Sequence, residues 1–185
     1  VSEGEKDEAI VLHSRAYAEV DAIISLFARK HGRISVYARG ARSSKRKNAP
    51  PFAPLWEITL ELHKKTGSTL YAPRAVSLTS AHDPLMRDLM RLAAANCAVE
   101  LVRELFEEGQ SDSDVYDRLR EVLCVLESAP PLETMDDFEH ELLAALGYQQ
   151  QEAGASPAAR FRARTAIFEH IRGRTLPARA FLTSL

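Results

Sequence analysis

Between Ala22 and Trp56 the chain contains no Asp or Glu. It carries eight cations there: Arg29, Lys30, Arg33, Arg39, Arg42, Lys45, Arg46 and Lys47. Guanidinium and ammonium groups neutralise phosphates and release condensed counterions, so such a run suits salt-sensitive binding of a polyanion. Arg42-Ser43-Ser44-Lys45-Arg46-Lys47 lies among Ser, Asn and Pro, which predicts a loop able to close over a nucleic-acid backbone. Tyr37 and Phe27 lie in the flanking apolar segments and are placed to stack on bases, as aromatic residues do in single-strand binders. Both also read as core residues, as does Trp56, because aromatic side chains are mostly buried. For the loop, the plain alternative is a solvated linker.

A second group of cations lies near the C-terminus: Arg160, Arg162, Arg164, Arg172, Arg174 and Arg179. Arg160 and Arg164 are four residues apart and share a helix face. Two readings stay open for this group: binding of phosphate or an acidic peptide tail, or pairing with the acidic segment of residues 100–141. Charge is unevenly spread. Residues 1–80 carry 13 Lys/Arg against 8 Asp/Glu, residues 81–152 carry 5 against 17, and residues 153–185 carry 6 against 1. The overall charge of −2 therefore conceals a basic front, an acidic middle and a basic tail, the pattern of a chain with a polyanionic partner for part of its length.

Signatures of catalysis are absent. There is neither a phosphate-cradling G-x-x-x-x-G-K-[ST] loop nor G-x-G-x-x-G. His140-Glu141 begins a zinc-protease pattern, but Ala144 stands where the second His belongs. The six His residues are scattered, and the adjacent Asp136 and Asp137 fit a helix N-terminus. Cys97 and Cys124 form neither a disulfide framework nor a C-x-x-C pair. A reducing cytoplasmic setting, with no cofactor and no metal, is the expectation. No apolar run approaches the ~18 residues that cross a bilayer, and the acidic, polar first residues do not read as a signal peptide.

The elements that must carry these residues change character midway. Residues 9–17, 22–29, 33–39, 55–63 and 69–79 read as strands. The second and third flank His31-Gly32 as a hairpin. In the fourth, Trp56, Ile58, Leu60 and Leu62 alternate with Glu57, Thr59, Glu61 and His63, the pattern of a half-buried strand. Lys64-Lys65-Thr66-Gly67 reads as a turn, and Pro73 predicts a bulge or an edge in the fifth strand. Five strands in so short a span predict a small barrel. The five-stranded barrel that takes oligonucleotides is the OB-fold, although periodicity alone does not separate it from an SH3-like barrel.

From Asp83-Pro84 the spacing turns helical. One helix is predicted from an Asp83 cap, with Leu85, Leu89, Leu92, Cys97, Leu101 and Leu105 on its stripe and Gly109 as its end. Others are predicted over Ser113–Glu127, over Thr134–Leu146 with a capping-box pattern at Thr134, and from Ser156 to Gly173. The last of these buries Phe161, Ile167, Phe168 and Ile171. A short helix follows Pro177. The predicted architecture is α+β: a five-stranded OB-fold DNA-binding barrel over residues 1–80, then an all-α domain over residues 81–185. The apolar share of 45% is enough to build both cores.

These residues carry a resemblance. Val11-Leu12-His13-Ser14-Arg15 with Tyr17, Glu19 and Asp21 is similar to the opening strand of the bacterial RecO family. His31-Gly32-Arg33-Ile34-Ser35 with Ala38-Arg39-Gly40-Ala41-Arg42 resembles its central signature, and Pro51-Phe52-Ala53-Pro54-Leu55 the next block. Residues 161–182, with Arg172-Gly173-Arg174 and Leu176-Pro177-Ala178-Arg179, resemble its C-terminal block. The resemblance implies an OB barrel joined to a helical domain in a DNA-repair recombination mediator. Such a protein binds single- and double-stranded DNA, anneals strands, and contacts RecR and the C-terminal tail of the single-strand-binding protein SSB while helping to load RecA. Many members carry a four-cysteine zinc module after the position of Leu146-Gly147-Tyr148. No Cys stands there here, so zinc is not implied.

The expected function is therefore non-enzymatic DNA binding in a cytoplasmic, nucleoid-associated setting. Arg29, Arg33, Arg39, Arg42, Lys45, Arg46, Lys47 and Tyr37 are the expected DNA contacts. Arg160, Arg162, Arg164 and Arg172 are the expected contacts of the SSB tail. The alternative is an interaction scaffold whose barrel binds a protein, with DNA contact incidental.

Overall fold

The computed structural model describes residues 5–42, 52–64, 67–148, 156–173 and 175–184. The chain falls into two compact units. One comprises the residues up to Ala81 together with Phe106–Tyr116, the other His82–Leu105 and the residues from Asp117 onward.

The first unit is a closed barrel of five strands: β1 (Glu5–Tyr17), β2 (Asp21–Ala28), β3 (Gly32–Ala38), β4 (Glu57–Lys64) and β5 (Tyr71–Ser80). Around the barrel the order is β1-β2-β3-β5-β4, with β1 long enough to pair with both β2 and β4. A parallel bridge from Val36 to Tyr71 closes the circle. This is the OB-type barrel, and it removes the open sheet edges that a flat sheet would expose.

Alternation fixes which side chains go inside. Ala9, Val11, Ile24, Leu26, Ile34, Val36, Ile58, Leu60 and Leu62 form the barrel core, with Phe52 sealing it and Trp56 partly buried against it. Glu57 departs from the predicted pattern, because it is buried like its neighbour Ile58. In β5 the irregularity is displaced from Pro73, which pairs with Leu62. Register shifts fall between Glu57 and Ile58 and between Thr59 and Glu61 of β4, and Ala75, in the strand opposite the second, takes a positive φ of 45°. Lys65 and Thr66 of the predicted turn lie outside the described residues.

The second unit is helical. A short 3₁₀ turn (Asp83–Arg87) precedes α1 (Leu89–Leu105), α2 (Ser113–Leu126), α3 (Pro131–Ala145), α4 (Pro157–Arg172) and α5 (Pro177–Ser184). The predicted single helix from an Asp83 cap is thus divided. His82, not Asp83, flanks the turn, in a left-handed conformation and without a side-chain cap. Asp88 breaks out to an extended φ of −137°, and its carboxylate accepts the Arg91 N–H at 3.0 Å, capping α1. Leu89 is exposed as a result, and α1 stops well before Gly109.

The predicted start of α3 is also corrected. Pro131 opens the helix, as a proline at the first helical position does. Thr134 sits inside the first turn, its hydroxyl donating to the Pro130 carbonyl at 2.8 Å. In contrast, α4 is capped as predicted. Ser156 accepts the Ala159 N–H, and Gly173 ends the helix at a φ of 65°. Phe168 is fully buried; the Phe161 side chain lies outside the described residues. Among the described residues no helix is long and apolar enough to cross a membrane.

Candidate nucleic-acid interface

Since one face of β1-β2-β3 fills the barrel, the alternate residues face outward. The register puts them in rows. Arg15 lies opposite Ile23, which lies opposite Tyr37; His13, Ser25 and Ser35 form the next row, and Phe27 lies opposite Arg33. At the far end Tyr17 faces Asp21 across the β1–β2 turn.

The outward face has two unlike halves. Its Phe27–Arg33 end is covered by Phe106–Tyr116. The Phe27 ring, fully buried, meets Phe106 edge-on at 5.1 Å. Arg33 donates its backbone N–H to the Gln110 carbonyl at 3.1 Å and accepts the Gly109 N–H at 2.6 Å, a strand-like pairing. Glu108 lies over the same strand, 3.7 Å from the Arg33 guanidinium and 3.3 Å from the Ser35 hydroxyl. Phe27 is therefore core, and Arg33 already faces a carboxylate.

The other half is exposed among the described residues. His13, Arg15, Tyr17, Arg39 and Arg42 are exposed there, and Ile23 and Tyr37 are half-buried. Asp21 organises this end. Its carboxylate accepts the Tyr37 hydroxyl on one oxygen and the Gly40 N–H at 2.7 Å on the other. The Tyr37 hydrogen bond, helped by that of Gly40, holds the Asp21 carboxyl below the usual carboxylate range, and the same interaction raises the Tyr37 phenol. The chain after β3 is tied to the β1–β2 turn by Arg42 N–H donating to the Val20 carbonyl at 2.8 Å. Arg39 and Arg42 thus project from a turn anchored at both ends.

Arg29 is exposed at the opposite end of β2. It lies 3.4 Å from Glu8, and its guanidinium carbon is 5.8 Å from the Tyr116 ring centre. Lys45, Arg46 and Lys47 lie outside the described residues. The structure thus brings Arg39, Arg42 and Tyr37 to one end of the face and leaves Arg29 and Arg33 at the other. It adds Arg15 and Tyr17, which lie outside the acid-free stretch that stands out in the sequence. Their signal was the alternation His13, Arg15, Tyr17 along β1.

In the helical unit the C-terminal arginines are largely paired within the unit. Arg164 is 1% exposed and holds the Asp136 carboxylate at 2.8 Å, with Glu139 at 3.9 Å. Arg160 meets Asp136 at 3.0 Å and Arg172 meets Glu104 at 3.4 Å. Arg179, itself buried, pairs with Glu139 and donates to the Thr165 hydroxyl at 3.1 Å. Of the four arginines expected to meet a partner, Arg164 is enclosed in the fold, Arg160 and Arg172 are partly exposed, and Arg162 is exposed.

Two family models match successive stretches of the chain. Residues 3–82 match "Recombination protein O N terminal" and residues 86–152 match "Recombination protein O C terminal". A protein named DNA repair protein RecO from Anaeromyxobacter dehalogenans (strain 2CP-C) is 34% identical over 122 residues, 66% of this chain and 48% of the relative. Those from Geobacter metallireducens and Thermoanaerobacter sp. (strain X514) are 32% and 28% identical over 148 residues, covering 60% and 59% of those relatives. The chain spans about half the length of the first of these and three-fifths of the others. With a matching barrel, matching helices and the motifs around Gly32 and Arg39 in place, the chain belongs to the RecO family.

Proposed function

We propose that this chain acts in DNA repair as a recombination mediator without catalysis of its own, holding DNA by its backbone on the exposed half of the outward β1-β2-β3 face. The observation that carries this reading is that Arg15, Tyr17, Arg39 and Arg42 are all exposed at one end of the outward face, on a barrel of the type that binds oligonucleotides. Phosphate contacts position a strand without reading its sequence. Both single- and double-stranded DNA would be accepted, and Lys45, Arg46 and Lys47 would add charge beside Arg42. Strands neutralised on one basic surface can approach each other, and base pairing then supplies the specificity of annealing.

On this reading the protein works beside RecR and on SSB-coated DNA, helping to load RecA. For the SSB tail, exposed Arg162 is the better of the four expected arginines, with Arg160 and Arg172 contributing from partly exposed positions. Arg164 is too enclosed to touch a peptide. The domain roles would divide between residues 1–80, holding DNA, and residues 81–185, serving protein partners, with Phe106–Tyr116 returning to the barrel unit.

Fluorescence anisotropy with a labelled oligonucleotide across a salt series tests the reading. The triple variant Arg15→Ala, Arg39→Ala, Arg42→Ala is expected to bind more weakly. Its slope of log affinity against log salt should be shallower by roughly one for each phosphate no longer neutralised. Identical affinity and slope would remove this surface. Wild type that does not bind DNA at physiological salt would favour the protein scaffold, for which the Glu108 cover on Arg33 is the supporting observation.

A further inference from the structure

We infer that Tyr17 is a stacking platform for an unpaired base, so that the exposed end of the barrel face selects single-stranded DNA over duplex. The inference rests on the DNA-binding reading above and adds a discriminating residue to it.

Tyr17 is the last residue of β1 and is 50% exposed. Burial does not explain so large an apolar ring at a strand end. Its only described ring neighbour is Tyr37, at 5.9 Å and an interplanar angle of 89°. In that edge-to-face arrangement Tyr37 covers at most one face of Tyr17, whichever ring offers its edge. At least one π-face of Tyr17 is therefore clear of Tyr37.

The support is rigid. Tyr37 is half-buried and fixed at its hydroxyl by Asp21, which also holds the Gly40 N–H. Ala18 turns the chain sharply at a φ of 53°, and the Val20 carbonyl is bonded to the Arg42 N–H. The turn that carries Tyr17 is thereby tied to the one that carries Arg39 and Arg42. With the backbone of the turn fixed in this way, less freedom is lost when a base stacks on the Tyr17 ring.

The surroundings fit a strand with its bases splayed. Exposed Arg15, Arg39 and Arg42 supply cations at the same end of the face, and exposed Val20 lies on the same turn as Tyr17. Glu19 and the ionised Asp21 are the opposing charges on the turn, and the Asp21 carboxylate is engaged by the Tyr37 hydroxyl and the Gly40 N–H. A base in a duplex is stacked on its neighbours and paired, so it cannot also lie on Tyr17. A base in a single strand can, and stacking of this kind tolerates any sequence because every base has a π-face.

The test compares anisotropy of a labelled single strand, the same strand with abasic positions, and the matching duplex. Wild type is set against Tyr17→Phe, Tyr17→Leu and the pair Arg39→Ala, Arg42→Ala. Leu keeps apolar bulk and removes the π-face. Y17L is expected to lose roughly tenfold on the single strand, the order of one stacked base, with duplex affinity unchanged. Y17F should match wild type, and abasic positions should erase the difference between wild type and Y17L. As a positioning residue, Tyr37 is tested by Tyr37→Phe, which should lower the ratio of single-strand to duplex affinity. Equal loss by Y17L on single strand and duplex, or no loss on either, would overturn the inference. If the arginine pair weakens binding while Y17L does not, only the stacking claim falls. If wild type binds no DNA, the functional reading falls with it.

Discussion

A Cβ built on Gly32 would stand 1.9 Å from the carbonyl oxygen of Gln110. Gly32 also has a φ of 68°, a conformation that costs other residues about 1–2 kcal/mol. Both facts serve one purpose: the turn into β3 must lie flush against the returning segment Phe106–Tyr116. Replacing Gly32 with Ala is expected to lower stability by more than the conformational cost alone, about 2 kcal/mol or greater, in urea unfolding. A midpoint equal to wild type would show that Gln110 moves aside without penalty.

Asp21 and Tyr37 make the exposed end sensitive to extremes of pH. The depressed Asp21 carboxyl stabilises this end above its ordinary value of 3.8, and that contribution is lost as pH falls through its lower folded value. The raised Tyr37 phenol stabilises it below 10.0, and that is lost as pH rises through its higher folded value. The hydrogen bond therefore stands throughout the neutral range. Ultraviolet titration of the tyrosines should show a late-ionising phenol in wild type that returns toward 10.0 in Asp21→Asn. Superimposable curves would count against the interaction.

Much of this fold was legible in the alternation of single residues. Ile58, Leu60 and Leu62 face inward as their spacing requires, and Ser156 and Gly173 bracket α4 with the chemistry that ends a helix. One local signal failed where another nearby outranked it. Pro131 overrode the capping-box pattern at Thr134. Asp88 divided what looked like one helix.

The proposed site was half legible, because there distant partners decide. A charge run pointed to Arg39 and Arg42 of the proposed surface. Arg33 belongs to that run too, yet its neighbour Glu108 is distant in sequence, and no spacing rule announces such a pairing. Tyr17 lies outside the basic stretch, so charge gives it no prominence. It joins the proposed site only through the register that sets it opposite Asp21, within reach of Tyr37.

Glu108 should act as a weak brake on the covered half of the face. Its carboxylate competes with phosphate for Arg33. Glu108→Gln is expected to raise DNA affinity modestly, about twofold to fivefold, the scale of an exposed ion pair, with a slightly steeper salt slope. Unchanged affinity would mean that DNA never reaches Arg33.

Arg164 should be a stability residue. Removing one member of a buried ion pair strands the other charge, at about 3–5 kcal/mol. Asp136 keeps Arg160 and Glu139 keeps Arg179, so Arg164→Met is expected near the low end, about 3 kcal/mol. Thermal unfolding measures this. A change within a few tenths of a kcal/mol would show that the network closes without it.

The two cysteines should react very differently. Burial pushes the Cys97 thiol up to about 12, while Cys124 is exposed. A thiol reagent at mildly alkaline pH is expected to label one cysteine in the native protein and both in denaturant. Rapid labelling of both without denaturant would contradict the enclosure of Cys97.

The return of Phe106–Tyr116 to the barrel also sets a schedule for biosynthesis. A ribosome releases the five strands in order, yet Phe27 has no Phe106 and Arg33 no Gln110 until the whole of α1 has followed them out. The Phe27–Arg33 end of the nascent barrel must wait, uncovered, while the first long helix is being made. A chain cut after Ala81 would leave it in that waiting state permanently.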